Sequence, residues 1–356
     1  MGGNCFKDNI RVDKFEFNYL VNIKLSPILD SLKLKYTIIP YYKNKKDFGD
    51  IDVIINTKNN AFNKCKNYIV QNKLPHIILK KSNTINTQIN NVQIDLCFYE
   101  NKFYKSAINF YSYNDLGNFL GIMFNKLEFK LGWKGLFIRP FNNKNYDIII
   151  SKDYKLILSL LGYDDNDYLE FVTGFNNKED IFKFVCRSKF YNRKMFDHSE
   201  SNNCNKKRNQ QRKMYSDFLE WISDNDPIDN FDYDDLKNNK IMNTFELNQK
   251  YFDEFLYKLS NHDKILKKLN KLKYKIDSDK KFSDCFRTTF TELKLQEIIK
   301  LNYGIDILDK KYLKIKGICY KIIKLKFKHL YINKLHLKLD INKFIKDSLK
   351  NTICLK

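Results

Sequence analysis

The chain has 356 residues, with 64 Lys and Arg against 42 Asp and Glu, giving a formal net charge of +22. At 43% hydrophobic and 15% aromatic content it can bury a core without disulfide staples, which excludes a disordered basic tail. No run approaches the length of a membrane-spanning helix, and the first ten residues lack the apolar core and small-residue site of a secretory signal. Such a charge balance speaks to partners rather than to fold. A polyanion is expected, nucleic acid first, with anionic membrane and acidic protein as weaker options. Enrichment in Lys, Asn and Ile also matches A/T-rich codons, so part of the basicity is compositional. The eight cysteines are scattered with no CxxC pair, which predicts free thiols and a cytoplasmic setting.

In chain order, residues 18–32 carry a helical pattern that Pro27 breaks or restarts. Short β-branched and aromatic runs at 36–42, 51–55, 76–79 and 92–98 predict strands. Residues 61–71 alternate with helical period between the second and third of these runs. From 106 the texture turns helical. Ser112 and Asn114 are N-cap candidates for a helix from Leu116 to Phe129 that ends at Gly132. Leu156 to Leu161, stopped by Gly162, predicts another helix, and Asn176 is placed to cap one over 178–187. A basic connector precedes a helix carrying Met214, Phe218, Leu219 and Ile222. The acidic, Pro-containing stretch at 223–236 is the expected linker. From Asp263 onward there are 25 Lys and Arg against 10 Asp and Glu, with Ile265, Leu266, Leu269 and Leu272 at helical spacing.

The expected class is α+β: an N-terminal mixed sheet with flanking helices, followed by helical middle and C-terminal parts. The expected divisions are 1–105, 106–222, the linker 223–236, and a basic helical 237–356.

One segment carries chemistry: Lys45-Lys46-Asp47-Phe48-Gly49-Asp50-Ile51-Asp52-Val53. Carboxylates at i and i+2 on a strand share a face, leaving Ile51, Val53 and Ile55 to a core. Gly49 permits a tight entry to the strand. Two carboxylates held together repel unless a cation lies between them, and Mg²⁺ or Mn²⁺ suits an all-oxygen pair. Asp95 is a lone carboxylate in the apolar run 92–98, costly to bury unless paired or ligating metal. Three such acids on neighbouring strands can support an in-line phosphoryl transfer.

The motif Gly49-Asp50-Ile51-Asp52-Val53 after basic residues, with Asp95 in a later strand, resembles the DNA polymerase beta-type nucleotidyltransferase superfamily over roughly residues 36–98. The stretches 113–118 and 174–187 are also similar to uncharacterised nucleotidyltransferase-like proteins of large DNA viruses and phages. The resemblance implies a sheet platform on which Asp50 and Asp52 ligate both metals. Asp95 would ligate the catalytic metal and help activate an acceptor 3′-hydroxyl. It further implies an NTP substrate and template-independent addition to a polynucleotide 3′ end, like a poly(A) polymerase or a tRNA-end enzyme.

The sequence departs from the family where Gly-Ser or Gly-Gly normally precedes the acids, since residues 38–44 contain neither. Tyr41 and Tyr42 stand there instead, and Lys43, Lys45 and Lys46 are the candidates to contact a triphosphate as point charges. That departure supports an alternative, a catalytically weakened fold serving as an RNA-binding or scaffold subunit. Transfer of a nucleotide onto a protein is a third version, disfavoured by the basic helices. Tyr111, Tyr113 and Trp133 are candidates to stack on a base, and Asn114, Asp115 and Asn118 to read base or sugar edges. The run 205–213 holds five Lys and Arg and could meet a phosphate backbone or simply face solvent.

Overall fold

The computed structural model describes residues 5–79, 83–200 and 203–289, with isolated helical positions between 320 and 348. It divides into two units, Met1–Ile265 and Leu266–Lys356. In the first, β1 (Val12–Asp13) leads into α1 (Lys14–Tyr19), a π-helical turn at Leu20–Leu25, and α2 (Ser26–Ser31). Pro27 lies in the first turn of α2, where its missing N–H costs nothing, so it restarts the helix. There follow β2 (Tyr36–Ile38), β3 (Asp47–Phe48), β4 (Asp50–Asn56), α3 (Ala61–Gln71), β5 (His76–Leu79), β6 (Thr84–Ile89) and β7 (Val92–Tyr99).

The main sheet has the order β2-β4-β7-β6-β5. Within it β4 and β7 run parallel, and the other pairs are antiparallel. One face is apolar. Ile51, Val53 and Ile55 of β4 lie opposite Ile94, Leu96 and Phe98 of β7, and all six are buried with Phe17, Leu29, Ala61 and Ile69. The second face changes character along its length. Asp50 and Asp52 open it, whereas Ile54 and Tyr99 further on are buried under Tyr104 and Ala107 of α4 (Asn101–Tyr111). That closure leaves the acidic end of β4 and β7 uncovered by α4.

After α4 come α5 (Leu116–Lys126) and a hairpin where the sequence predicts continued helix. β8 (Phe129–Gly132), β9 (Gly135–Ile138) and β10 (Ile148–Ser151) form a small antiparallel sheet. The helix stops at Lys126 because Glu128 takes a positive φ of 67°, and the chain then pairs with β9 through a two-residue turn. Gly135 has φ +93°, and a Cβ there would lie 2.2 Å from the Ser151 carbonyl oxygen, so only glycine fits. The caps also differ from expectation. The Ser112 hydroxyl donates to the Ile108 carbonyl, and Asp115 is the residue at the start of α5. Asn177 rather than Asn176 caps the helix after it, in a reciprocal box with Asp180.

The rest of the first unit is helical: α6 (Tyr154–Leu160), α7 (Asp165–Thr173), α8 (Lys178–Cys186), α9 (Asn203–Gln210), α10 (Lys213–Asn225), α11 (Tyr233–Asn238) and α12 (Gln249–Tyr257). The acidic stretch 223–236 lies inside this unit rather than between units. Arg193 binds Asp226, Asp229 and the Pro227 carbonyl, while Tyr233 and Leu236 are buried. Ion pairs and two apolar anchors hold a segment whose composition alone suggests a break.

α13 (His262–Thr289) begins at the end of the first unit and enters the second. Ile265 and Leu269 are buried on it as their spacing predicts. In the second unit Phe282 and Phe286 pack on Phe327. Residues 290–319 and much of 320–356, which hold half of the lysines from Asp263 onward, lie outside the described residues, as do His329 and His336. Among the described residues no helix is long and apolar enough to cross a membrane, and Cys5, Cys65, Cys97, Cys186 and Cys204 are free thiols.

Candidate active site

The parallel pairing of β4 with β7 sets Asp50 beside Gln93 and Asp52 beside Asp95, and β6 sets Asn86 beside Asp95. Alternation then puts all these polar side chains on the open face. Carboxylate oxygens of Asp50, Asp52 and Asp95 all lie within 4.8 Å of one another. Two donors fix Asp95: its Oδ1 accepts from Gln93 Nε2 at 2.7 Å and also from Asn86 Nδ2.

Three like charges at this separation repel, and the wall around them adds a desolvation cost. Burial and then Asp50 push the Asp95 carboxyl up to about 6, against the two amide donors, which favour its ionised form. The Asp52 carboxyl is held well above the usual carboxylate range by desolvation, then by Asp50 and Asp95. Its side chain is still open to the cleft, so the desolvation is incomplete. Lys45 opposes the shift at Asp52. Its ammonium sits 4.7 Å over the Phe48 ring, and burial lowers its pKa while Asp50 and Asp52 support its charge.

This donor set fits a hard divalent cation. All three donors are oxygens, they converge, and their raised proton affinity shows that positive charge is wanted between them. Because only the ionised carboxylates ligate, affinity should fall as pH drops through about 6, the Asp95 value. Calorimetric titration with Mn²⁺ is expected to give about tenfold weaker binding at pH 5 than at pH 7.5. Equal affinity at the two values would show that Asp95 is not a ligand.

Asp50 and Asp52 line a cleft of about 1140 Å³, together with residues 38–42 and 44–49 and with Arg208, Arg212 and Lys213. The basic run 205–213 is therefore folded into α9 and the start of α10 and brought to the same cleft as the acids. Its members differ. Arg212 pairs with the buried Asp115, and Lys213 shares Asp217 with Lys178. Arg208 has no carboxylate partner among the described residues.

Four backbone amides of the segment before the acids are engaged within the protein. Ile39 N–H donates to the Asp52 carbonyl, Lys43 to Phe175, Asn44 to Asn176 and Lys45 to Tyr42, while Pro40 has no N–H. Tyr41 packs edge-on against the stacked pair Phe17 and Phe48. These bonds tie the sheet to the α7–α8 loop and shape the cleft, but they occupy the amides that a glycine-rich loop would offer a triphosphate.

Of the other residues expected at the site, Lys45, Lys46, Gly49, Asn114, Asn118 and Tyr111 line the cleft. Lys43 is exposed outside that lining, its carbonyl accepting from Lys14 Nζ. Tyr113 is buried between Phe171 and Phe175, and Trp133 packs on Tyr99 and Phe103. Gln93, Asn86 and Lys178 join the site without having been expected there. Gln93 has a usable signal, since it sits two residues before Asp95 on the same strand face.

No family model matches the chain, and no curated protein matches its sequence.

Proposed function

We propose that this chain is a metal-dependent nucleotidyltransferase, adding nucleotides without a template to a polynucleotide 3′ end, with RNA the favoured acceptor. The observation that carries the reading is the convergence of Asp50, Asp52 and Asp95, the first two lining a cleft that Lys45, Lys46 and Arg208 also line. A bound divalent cation would neutralise phosphate charge and lower the pKa of the attacking hydroxyl. Asp50 and Asp52 would hold it from one strand. Asp95, one oxygen fixed by Gln93 and Asn86, would present the other toward the acceptor hydroxyl and its proton. With the Ile39, Lys43, Asn44 and Lys45 amides engaged, phosphate would be met by the Lys45, Lys46 and Arg208 side chains.

The committed amides are also the observation that favours a second reading, a nucleotidyltransferase fold retained as an RNA-binding or scaffold subunit. Incubation with labelled NTPs, Mg²⁺ or Mn²⁺, and RNA, DNA or protein acceptors separates the two. The first reading expects label on polynucleotide that is lost in an Asp50→Ala/Asp52→Ala variant. RNA binding without label on any acceptor would favour the scaffold.

The cationic lining has its own test. An Arg208→Ala/Lys213→Ala variant should bind RNA of any sequence more weakly, its log–log salt slope shallower by about 0.7 for each phosphate no longer neutralised. An unchanged slope would place the polynucleotide elsewhere.

A further inference from the structure

We infer that the N-terminal segment Cys5 to Ile10 is a positioning element of the acid site, acting on Asp95 through Gln93 and on the spacing of β4 and β7 through Asn9. The inference rests on the metal-binding reading of the three acids.

Asn9 bridges the two strands where their parallel ladder begins. Its Nδ2 donates to the Gly49 carbonyl at 2.9 Å, and its Oδ1 accepts from the Gln93 N–H at 2.6 Å. Gly49 directly precedes Asp50, and Gln93 is the register partner of Asp50. One side-chain amide thus spans the end of the strand pair that holds the acids. Cys5 completes the chain. Its backbone N–H donates to Gln93 Oε1 at 2.8 Å, leaving Gln93 Nε2 directed at Asp95 Oδ1. Ile10 N–H to the Asn91 carbonyl, at 2.9 Å, fastens the same segment to the turn before β7.

The physical need is plain. Three carboxylates within 4.8 Å push β4 and β7 apart at their open ends. The apolar core grips the strands from the other face, while α4 covers only the far end of this one. A polar bridge across the ladder resists the opening. Gln93 and Asn86 are each only 2% exposed, so their bonds to Asp95 do not compete with bulk water and fix which of its oxygens stays available. Partners of this kind behind metal ligands typically contribute about tenfold or more to affinity.

The test is Mn²⁺ titration by calorimetry on the full chain, using wild type, Asn9→Ala, Cys5→Pro and Cys5→Ala. Proline at residue 5 removes the N–H while leaving every site side chain in place. Asn9→Ala and Cys5→Pro should each weaken Mn²⁺ binding by about tenfold, and Cys5→Ala, which keeps the N–H, should restore it. A metal-free melting curve for each variant reports folding, and residue 5 is exposed, so the Cys5 pair decides even if Asn9→Ala is unstable. Wild-type affinity in both Asn9→Ala and Cys5→Pro would overturn the positioning role and leave the metal site standing. No Mn²⁺ binding by the wild type would overturn both.

Discussion

Asparagine in place of Asp95 is expected to lower nucleotidyl transfer by about a thousandfold while making the metal-free protein more stable at neutral pH. The two effects have one cause. The folded state holds the Asp95 carboxyl up to about 6 by burial and by Asp50, above its unfolded value near 4. Between those values the folded chain binds the extra proton, so its stability falls as pH rises from about 4 to about 6 and stays reduced above that. Asn carries no charge, and its carbonyl oxygen can still accept from Gln93 and Asn86. After allowance for solvent screening, the gain at pH 7 is on the order of 1–2 kcal/mol. Thermal melts of wild type and variant should therefore diverge at pH 7 and converge near pH 4. A variant less stable than wild type at pH 7 would mean that Asp95 is a structural acid rather than one awaiting a cation.

The other large effect lies in an ion pair that also lines the cleft. Asp115, at the start of α5, and Arg212, between α9 and α10, form an ion pair in which the Asp115 side chain is 9% exposed and that of Arg212 22%. Burial lowers the Arg212 pKa, so keeping its charge there is costly without the partner. Removing either member leaves a buried charge uncompensated, at a cost of about 3–5 kcal/mol. Arg212→Ala should accordingly destabilise the chain strongly in urea unfolding. An Asp115→Leu/Arg212→Met double variant should recover most of that loss, because two apolar groups need no pairing. Equal losses in single and double variants would show that packing, not charge, is the contribution. The same pair explains why Arg208 rather than Arg212 is assigned to phosphate: Arg212 is already used to hold the wall.

Much of the acid site is legible in the sequence because its signals are local. Period-two alternation places Asp50 and Asp52 on one face and Ile51, Val53 and Ile55 on the other, and a lone carboxylate in an apolar run marks Asp95. That these acids converge depends on the parallel pairing of β4 with β7, which composition cannot set. β6 is hard to see because Thr84, Asn86 and Gln88 look like loop, yet all three are buried in the sheet. Its signal is the Asn90-Asn91 turn, both residues with positive φ, a two-residue hairpin connection. The β8–β9 hairpin is hidden by an apolar run continuous with α5, where helix and strand periods are hard to separate. The bridge through Asn9 has no sequence signal at all. Its partners are 84 positions away for Gln93 and 40 for Gly49, and a single polar residue near a terminus carries no periodicity.

Whether a polynucleotide 3′-hydroxyl is the nucleophile decides the proposed function. The most direct measurement offers the protein, with Mn²⁺ and each NTP in turn, two RNA acceptors identical except for a 3′-hydroxyl or a 3′-deoxy end, and resolves the products by length. Lengthening of the 3′-hydroxyl RNA alone, absent in the Asp50→Ala/Asp52→Ala variant, is the expected result. Failure to extend either RNA or a DNA acceptor, or transfer that persists when both aspartates are removed, would contradict it.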